Sequence, residues 1–313
     1  MAGPTLVTGA AGFAGSHLVD QLAGDRVDTV AWHRPGGHGP RHVYGVTWRG
    51  VNLLDQASVR AELERATPSV IFHCAGAAHV GQSWATTVAT LRENVVGTHN
   101  LVEAIRSVVP EAKLLITSSA LVYGPSNSAI DESHALQPAN PYGLSKVAQE
   151  MVGTADGGHP FTFIARPFNH FGPRQSPSFV SAAFARQIAE IENGSIPGEI
   201  HVGNLEACRD LTDVRDTVRA YRLIVERGVP GRPYNVCSGT AIAIRSVLDA
   251  LVGLAQVSVS IVPDPSRYRP NDTSIVLGNP ARAREELDWL PRIPFEQTAA
   301  DLLNYWRDRV RTA

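Results

Sequence analysis

Short apolar runs alternate with helical periodicity through the first half of the chain. We predict strands at Thr5–Val7, Val27–Trp32, within Val46–Leu54, and at Val70–Cys74, Lys113–Ser118 and Phe161–Ala165. Helical patterns separate them, over Gln56–Ala66, over roughly 87–108 and from Tyr142 onward. Continuous apolar strands alternating with helices are typical of a parallel sheet covered on both faces. The pattern therefore predicts an α/β fold built on a doubly wound parallel sheet.

The first strand ends in the stretch TGAAGFAG, and a helical pattern follows it. In such a loop Gly9 permits a tight turn, Gly12 lets the backbone approach a pyrophosphate, and Gly15 lets helix and strand pack closely. Phe13 and Ala14 stand where the helix would offer free N–H groups to phosphate. A plain structural turn is the alternative. The strand–turn–helix context favours the dinucleotide site of a Rossmann-type domain.

Two further strand ends carry candidate cofactor contacts. An Asp or Glu after the second strand would favour NAD, whereas Arg34 stands there and favours NADP(H), with NAD(H) as the alternative. A solvated loop arginine is the competing interpretation. Asn52 and Leu53, after the third strand, could flank the adenine, although Asn52 is also a common turn residue.

Small residues follow the fourth strand, where they would let backbone approach a ligand. These are Ala75, Gly76 and Ala77, which we assign to the cofactor. His79 comes next and is a candidate substrate contact, or else a structural histidine.

The stretch after the fifth strand and a later helix supply candidate chemistry. Ser119 follows the strand, and Tyr142 and Lys146 stand four apart, so they share one helix face. A nearby ammonium would lower the pKa of a tyrosine, which predicts that Tyr142 can exchange a proton near neutrality. The tyrosine–lysine spacing alone is weak evidence; its value comes from the order of glycine loop, serine, tyrosine and lysine.

The second half is richer in proline and glycine, and the strict alternation fades. We predict a helix over Phe179–Glu192, a short strand over Glu199–Val202, a helix with Asp213 as N-cap, and a last helix over Phe295–Val310. The predicted domains are a dinucleotide-binding domain over 1–166, with some later segments returning to it, and a smaller mixed α/β substrate domain over 167–313.

Composition narrows the function. With 313 residues and a net charge of −2, the chain offers no reason to expect nucleic acid or a membrane as partner. Cys74, Cys208 and Cys237 lack metal-ligand spacing, so we predict no metal site and interpret the three as buried core thiols. The absence of a signal-peptide pattern or a long apolar run favours a cytoplasmic location.

Seven stretches together resemble the extended short-chain dehydrogenase/reductases that act on nucleotide sugars. They are TGAAGFAG, NVVGT from Asn94, SSALVYG, PYGLSK, RPFNHFGPRQ, RDLTDVRD and RPND. The resemblance is closest to the group of GDP-mannose 4,6-dehydratases and GDP-4-keto-6-deoxymannose reductases. It implies that Ser119, Tyr142 and Lys146 form the catalytic triad. It also implies that Asn169, Arg209 and Arg269 contact the nucleotide sugar.

One departure from that group decides between activities. The dehydratases carry an acidic residue just after the triad serine or threonine, whereas Ala120 and Leu121 stand here. A side chain that cannot titrate cannot act as general acid or base. Asp131 and Glu132 are nearby in sequence, and we assign them to a surface turn.

These observations predict an NADPH-dependent reductase of a nucleotide-linked 4-keto-6-deoxy sugar, with GDP-4-dehydro-6-deoxy-D-mannose as the expected substrate. An NAD-dependent 4-epimerase is the first alternative, because it needs the same triad. A GDP-mannose 4,6-dehydratase is the second, and a dinucleotide-binding sensor without activity is the third. By analogy, a homodimer through the helices near Asn94–Val108 and Tyr142–Gly153 is expected.

Overall fold

The computed structural model of the chain describes residues 3–36, 42–78, 80–154, 158–268 and 275–312. Its strands are β1 Thr5–Thr8, β2 Thr29–His33, β3 Val46–Gly50, β4 Val70–His73, β5 Lys113–Thr117, β6 Thr162–Pro167, β7 Asn169–Phe171, β8 Glu199–Val202, β9 Cys208–Asp213, β10 Pro233–Val236, β11 Ala241–Ala243, β12 Ser260–Pro263 and β13 Ile275–Val276. Its helices are α1 Phe13–Gly24, α2 Gln56–Ala66, α3 Thr87–Leu91, α4 Gly97–Val108, α5 Pro141–Thr154, α6 Val180–Glu192, α7 Val214–Arg227, α8 Ile244–Gly253, α9 Ala281–Leu287 and α10 Phe295–Arg311.

A seven-stranded parallel sheet forms the centre of the molecule, in the order β10-β6-β5-β4-β1-β2-β3. All seven strands are parallel, and their order extends outward on both sides of the β1–β4 pair. This order confirms the doubly wound α/β fold. In such sheets ligands bind where the strand order reverses, outside the carboxyl ends of the strands. The point of reversal lies between β1 and β4, and the glycine loop follows β1.

Strand β10 joins this sheet from the second half of the chain, as a later segment that returns to the first part. The remaining strands form a small sheet of β11, β9, β13 and β7 and a separate pair of β12 and β8. A second hydrophobic core, which includes Phe184, Ile188, Leu248 and Leu302, packs α6, α8 and α10 together. The predicted boundary at residue 166 stays a prediction.

Several elements differ from expectation in detail. The predicted helix over 87–108 is continuous but contains a π-helical turn at Arg92–Val96, between α3 and α4. Asp213 caps α7 as predicted, its carboxylate accepting from the backbone N–H of Arg215. Cys208–Asp213 form strand β9, which ends at this cap residue. The irregular pattern of the second half did not predict this strand.

The expectation of three buried thiols is wrong for two of them. Cys237 is buried, whereas Cys74 and Cys208 are only partly buried. Strand ends explain both, because Cys74 follows β4 directly and Cys208 begins β9. In the part of the chain that the structure describes, no helix combines the length and apolarity needed to cross a bilayer.

Candidate active site

The glycine loop joins β1 to α1 by direct backbone contact. Gly9 has φ +64°, and a Cβ placed on it would lie 2.6 Å from the amide nitrogen of Ala75. A Cβ on Gly15 would lie 2.3 Å from the Gly9 carbonyl oxygen. Neither position has room for a side chain, while Gly12 is exposed at the helix N-terminus. This shape fits a dinucleotide, because its diphosphate needs exposed backbone N–H groups at close range.

The loop after β4 packs against the glycine loop and is held by Asn94. The Asn94 side chain accepts from the Ala77 N–H at 2.7 Å and donates to the Ala77 carbonyl oxygen at 3.2 Å and to the Ser145 hydroxyl at 2.8 Å. Gly76 is exposed with φ +153°, so backbone faces the cleft there. Asn94 therefore links the expected cofactor wall to α5.

Sequence reasoning quoted Asn94 only as part of a family motif and assigned it no role. The residue is fully buried inside the π-helical turn. Such turns are rare overall, and those that occur are often found at functional sites. The asparagine of the NVVGT stretch was the available signal, but no periodicity argument could show the π-helical turn that brings it to Ala77.

Ser119, Tyr142 and Lys146 meet in the structure. The Ser119 hydroxyl accepts from the Leu121 N–H at 3.2 Å and lies close enough to the Tyr142 side chain to lower its pKa. The Lys146 ammonium donates to the Thr117 carbonyl oxygen at 2.9 Å and lies 5.6 Å from the centre of the Tyr142 ring. The carboxyl end of β5 and the first turns of α5 thus bring together a hydroxyl, a phenol and an ammonium.

The expected lowering of the tyrosine pKa is wrong. Burial raises the pKa of Tyr142 to about 12, and the hydrogen bond with Ser119 lowers it only in part. Burial also lowers the pKa of Lys146 to about 8, against the influences of Cys74 and Glu150, which raise it. Desolvation is the largest influence on both groups, because burial disfavours the charged form of each. At neutral pH the phenol is protonated and is equipped to donate a proton.

The residues after β2 and β3 are more exposed. Arg34 is 73% exposed and donates to the Glu93 carboxylate at 2.9 Å. The Asn52 side chain accepts from the Leu54 N–H at 3.1 Å, as a turn residue does, and the Leu53 carbonyl oxygen accepts from Asn100 at 2.9 Å. These positions border the same edge of the sheet, and their cofactor roles stay predictions.

Two predicted substrate contacts lie on neighbouring strands of the small sheet. Asn169 is exposed at the start of β7 and pairs in register with Leu211 of β9. Arg209 is partly buried on β9 and donates to the Cys208 carbonyl oxygen at 2.8 Å. His79 and Arg269 lie outside the described residues.

The turn after Ser119 is a short 3-10 helix over Ala120–Val122. It carries no ionisable group, because its residues are alanine, leucine and valine. Hydrogen bonds from Ser133 and His134 lower the pKa of the exposed Asp131 to about 2. Glu132 was expected on a surface turn, but its side chain is 3% exposed. It accepts from the Asn235 N–H at 2.7 Å and lies 3.6 Å from the Arg282 guanidinium, because the turn folds inward against β10.

Comparisons with known proteins agree with this geometry. The sequence profile of the GDP-mannose 4,6 dehydratase family matches residues 6–302. The chain belongs to this family. It is 36% identical to a GDP-6-deoxy-D-mannose reductase of Pseudomonas aeruginosa, over 97% of both chains. The prediction of a nucleotide-sugar oxidoreductase of the epimerase/dehydratase class is therefore confirmed at the level of the family.

Another relative is named as an epimerase and not as a reductase. A UDP-glucose 4-epimerase of Mycolicibacterium smegmatis is 30% identical over 97% of this chain and 99% of its own. The structure of RMD from Pseudomonas aeruginosa complexed with NADPH superposes with a TM-score of 0.85 at 33% identity, covering 98% of this chain and 100% of the other. This chain and the NADPH-bound RMD thus share one fold over nearly their whole length.

Proposed function

We propose that this member of the family reduces a nucleotide-linked 4-keto-6-deoxy sugar with NADPH. The expected substrate is GDP-4-dehydro-6-deoxy-D-mannose, and the product is a GDP-6-deoxyhexose such as GDP-rhamnose. The observation that carries the proposal is the turn Ala120–Val122, none of whose side chains is ionisable. Dehydration needs an ionisable group to remove the C5 proton, whereas reduction of a ketone does not. The reductase from Pseudomonas aeruginosa supports the same choice.

NADP(H) is the favoured cofactor and NAD(H) the alternative. Arg34 offers a guanidinium after β2, where a 2′-phosphate would lie, and no carboxylate replaces it at that position. The pairing with Glu93 is exposed and therefore weak, so a phosphate could displace it. The NADPH complex of RMD supports the assignment by similarity.

The triad geometry suits proton donation to a ketone. When bound, NADPH supplies a hydride to the sugar C4. Tyr142 then donates its phenolic proton to the C4 oxygen, which becomes the product hydroxyl, and the phenolate recovers a proton from solvent. Ser119 hydrogen-bonds the same oxygen, where negative charge develops. The Lys146 ammonium stabilises the phenolate and, by family resemblance, holds the nicotinamide ribose.

The fall in absorbance at 340 nm on mixing the protein with NADPH and GDP-4-dehydro-6-deoxy-D-mannose tests the proposal. We expect a continuing fall that stops when either reactant is exhausted. An unchanged absorbance with active-site concentrations confirmed by NADPH binding would overturn the reductase function for this substrate.

A UDP-sugar 4-epimerase is the second candidate, because the triad and the acid-free turn serve that reaction equally well. The 30% identity to a UDP-glucose 4-epimerase of Mycolicibacterium smegmatis supports this second candidate. Epimerisation leaves the cofactor unchanged overall, so conversion of UDP-glucose to UDP-galactose without a change at 340 nm would favour it.

We also propose a homodimer through the helices near Asn94–Val108 and Tyr142–Gly153, extended to α3 and the residues that precede it. Several large apolar side chains there are exposed, namely Trp84 (69%), Val88 (79%), Val96 (44%), Leu144 (50%) and Met151 (60%). Leu144 and Met151 lie two turns apart on one face of α5. Exposed apolar surface of this extent on neighbouring helices is typical of an interface. Sedimentation equilibrium should give a dimer for the wild type and a monomer for Met151→Glu.

A further inference from the structure

A buried ion pair lies directly behind the triad. Glu150 of α5 and Arg166 of β6 are 4% and 5% exposed. The Arg166 guanidinium donates from Nε to Oε1 of Glu150 at 2.9 Å and from Nη2 to Oε2 at 2.6 Å. Two parallel N–H···O bonds of this kind fix the guanidinium in one orientation against the carboxylate.

The pair holds the segment before Ser119. The Ser118 hydroxyl donates to Oε1 of Glu150, and the Ser118 N–H donates to the Ala165 carbonyl oxygen at 2.8 Å. Glu150 stands one helical turn after Lys146 on α5. One carboxylate therefore connects the residue that precedes Ser119 to the helix that carries Tyr142 and Lys146.

The pair also holds the segment after Ser119. Arg166 donates from its remaining nitrogen, Nη1, to the Tyr123 hydroxyl at 2.8 Å, with its guanidinium carbon 5.0 Å from the centre of the Tyr123 ring. The Tyr123 hydroxyl in turn donates to the Asn235 side chain at 2.8 Å. Tyr123 is the residue that ends the 3-10 turn which Ser119 begins.

Both ends of the Ser119 turn are thus tied to the same ion pair. We infer that Glu150 and Arg166, through Ser118 and Tyr123, are positioning residues that set the Ser119 hydroxyl against the Tyr142 phenol. None of the four needs to touch substrate. The inference rests on the proposed function for its kinetic readout, and a structural readout makes it testable without substrate.

The two tethers are the hydrogen bond of Ser118 to Glu150 and that of Arg166 to Tyr123. Removing one tether at a time leaves the ion pair in place. We expect Ser118→Ala and Tyr123→Phe each to lower kcat about tenfold, since small misplacements of a reacting group are costly, with little change in KM for either reactant. Ser118→Thr retains the hydroxyl and should restore kcat. Ser69→Ala and Tyr234→Phe are matched controls: Ser69 donates to the Gly3 carbonyl oxygen at 2.7 Å, and Tyr234 of β10 donates to Glu286 at 2.8 Å. Both controls should keep full kcat.

A double-mutant cycle separates positioning from general loss of stability. In a Ser119→Ala background, Tyr123→Phe should change the residual kcat less than twofold, because the group that it positions is gone. An equal tenfold loss in both backgrounds would overturn the inference. The same follows if the control variants lose as much kcat as the tether variants at a similar melting temperature.

Amide hydrogen exchange provides the readout that needs no substrate. Peptides spanning 113–125 should exchange faster in Ser118→Ala and Tyr123→Phe than in the wild type and in both controls. Unchanged exchange there would overturn the inference. If the wild type does not oxidise NADPH with the GDP-sugar, the proposed function fails while the exchange result still decides this inference.

Discussion

Two parts of the candidate active site, named here the glycine-loop wall and the triad wall, are held in place in different ways. The glycine-loop wall is held by backbone against backbone, as at Gly15, where a Cβ would lie 2.3 Å from the Gly9 carbonyl oxygen. The triad wall is held by side chains, with Lys146 on the Thr117 carbonyl oxygen and Ser119 on the Leu121 N–H. We therefore expect the glycine-loop wall to be sensitive to added atoms and the triad wall to be sensitive to the loss of polar groups.

The largest effect is expected from removing the proton donor on the triad wall. Tyr142→Phe keeps the ring but loses the phenolic proton, so kcat should fall about 10³-fold, within the range for general acid catalysis. NADPH affinity, measured by fluorescence titration, should stay within about twofold because the glycine-loop wall is untouched. A variant with near-normal kcat would show that another group donates the proton.

The glycine-loop wall should respond to a single methyl group. Gly15→Ala has no room between helix and loop, so we expect a loss of about 2–3 kcal/mol in the free energy of unfolding and weaker NADPH binding. Gly24→Ala is the matched control at the far end of α1, where no atom lies within 4 Å of the added Cβ. Urea unfolding of the two variants measures the difference, and equal stabilities would contradict the close contact.

Lys146 makes the triad wall dependent on pH. Its pKa of about 8 predicts that kcat declines as pH rises through 8, since the ammonium is lost while Tyr142 stays protonated. For stability the sign is opposite: the folded pKa lies below the ordinary 10.5, so the unfolded chain binds more protons between pH 8 and 10.5. Over that window the free energy of unfolding should rise with pH more in the wild type than in Lys146→Met. Kinetic pH profiles and urea titrations test the two trends.

Arg34 should give the smallest effect, because it is 73% exposed. Arg34→Ala should raise KM for NADPH about three- to tenfold and leave KM for NADH unchanged, as expected for one solvent-screened contact to a phosphate. Glu93→Gln is the companion variant, which frees the guanidinium and should lower KM for NADPH slightly. Equal changes with both cofactors would assign Arg34 to the solvated loop instead.

The sheet and the shared helix of Tyr142 and Lys146 were predictable because each depends on local pattern. Apolar runs placed the strands, and the four-residue spacing of Tyr142 and Lys146 placed both on one helix face. The pairing of β10 with β6 and the ion pair of Glu150 with Arg166 were not predictable, because each depends on how two separate elements pack together. The inward turn of Glu132 was missed for the same reason.

By itself the sequence determined the alternation of strands and helices, the glycine loop, and the absence of an acid after Ser119, since these follow from residue types and spacing along the chain. Only the tertiary structure decided the protonation of the triad. Burial disfavours the charged form of each group, so it raises the pKa of Tyr142 and lowers the pKa of Lys146. The four-residue spacing alone had predicted a lowered tyrosine pKa.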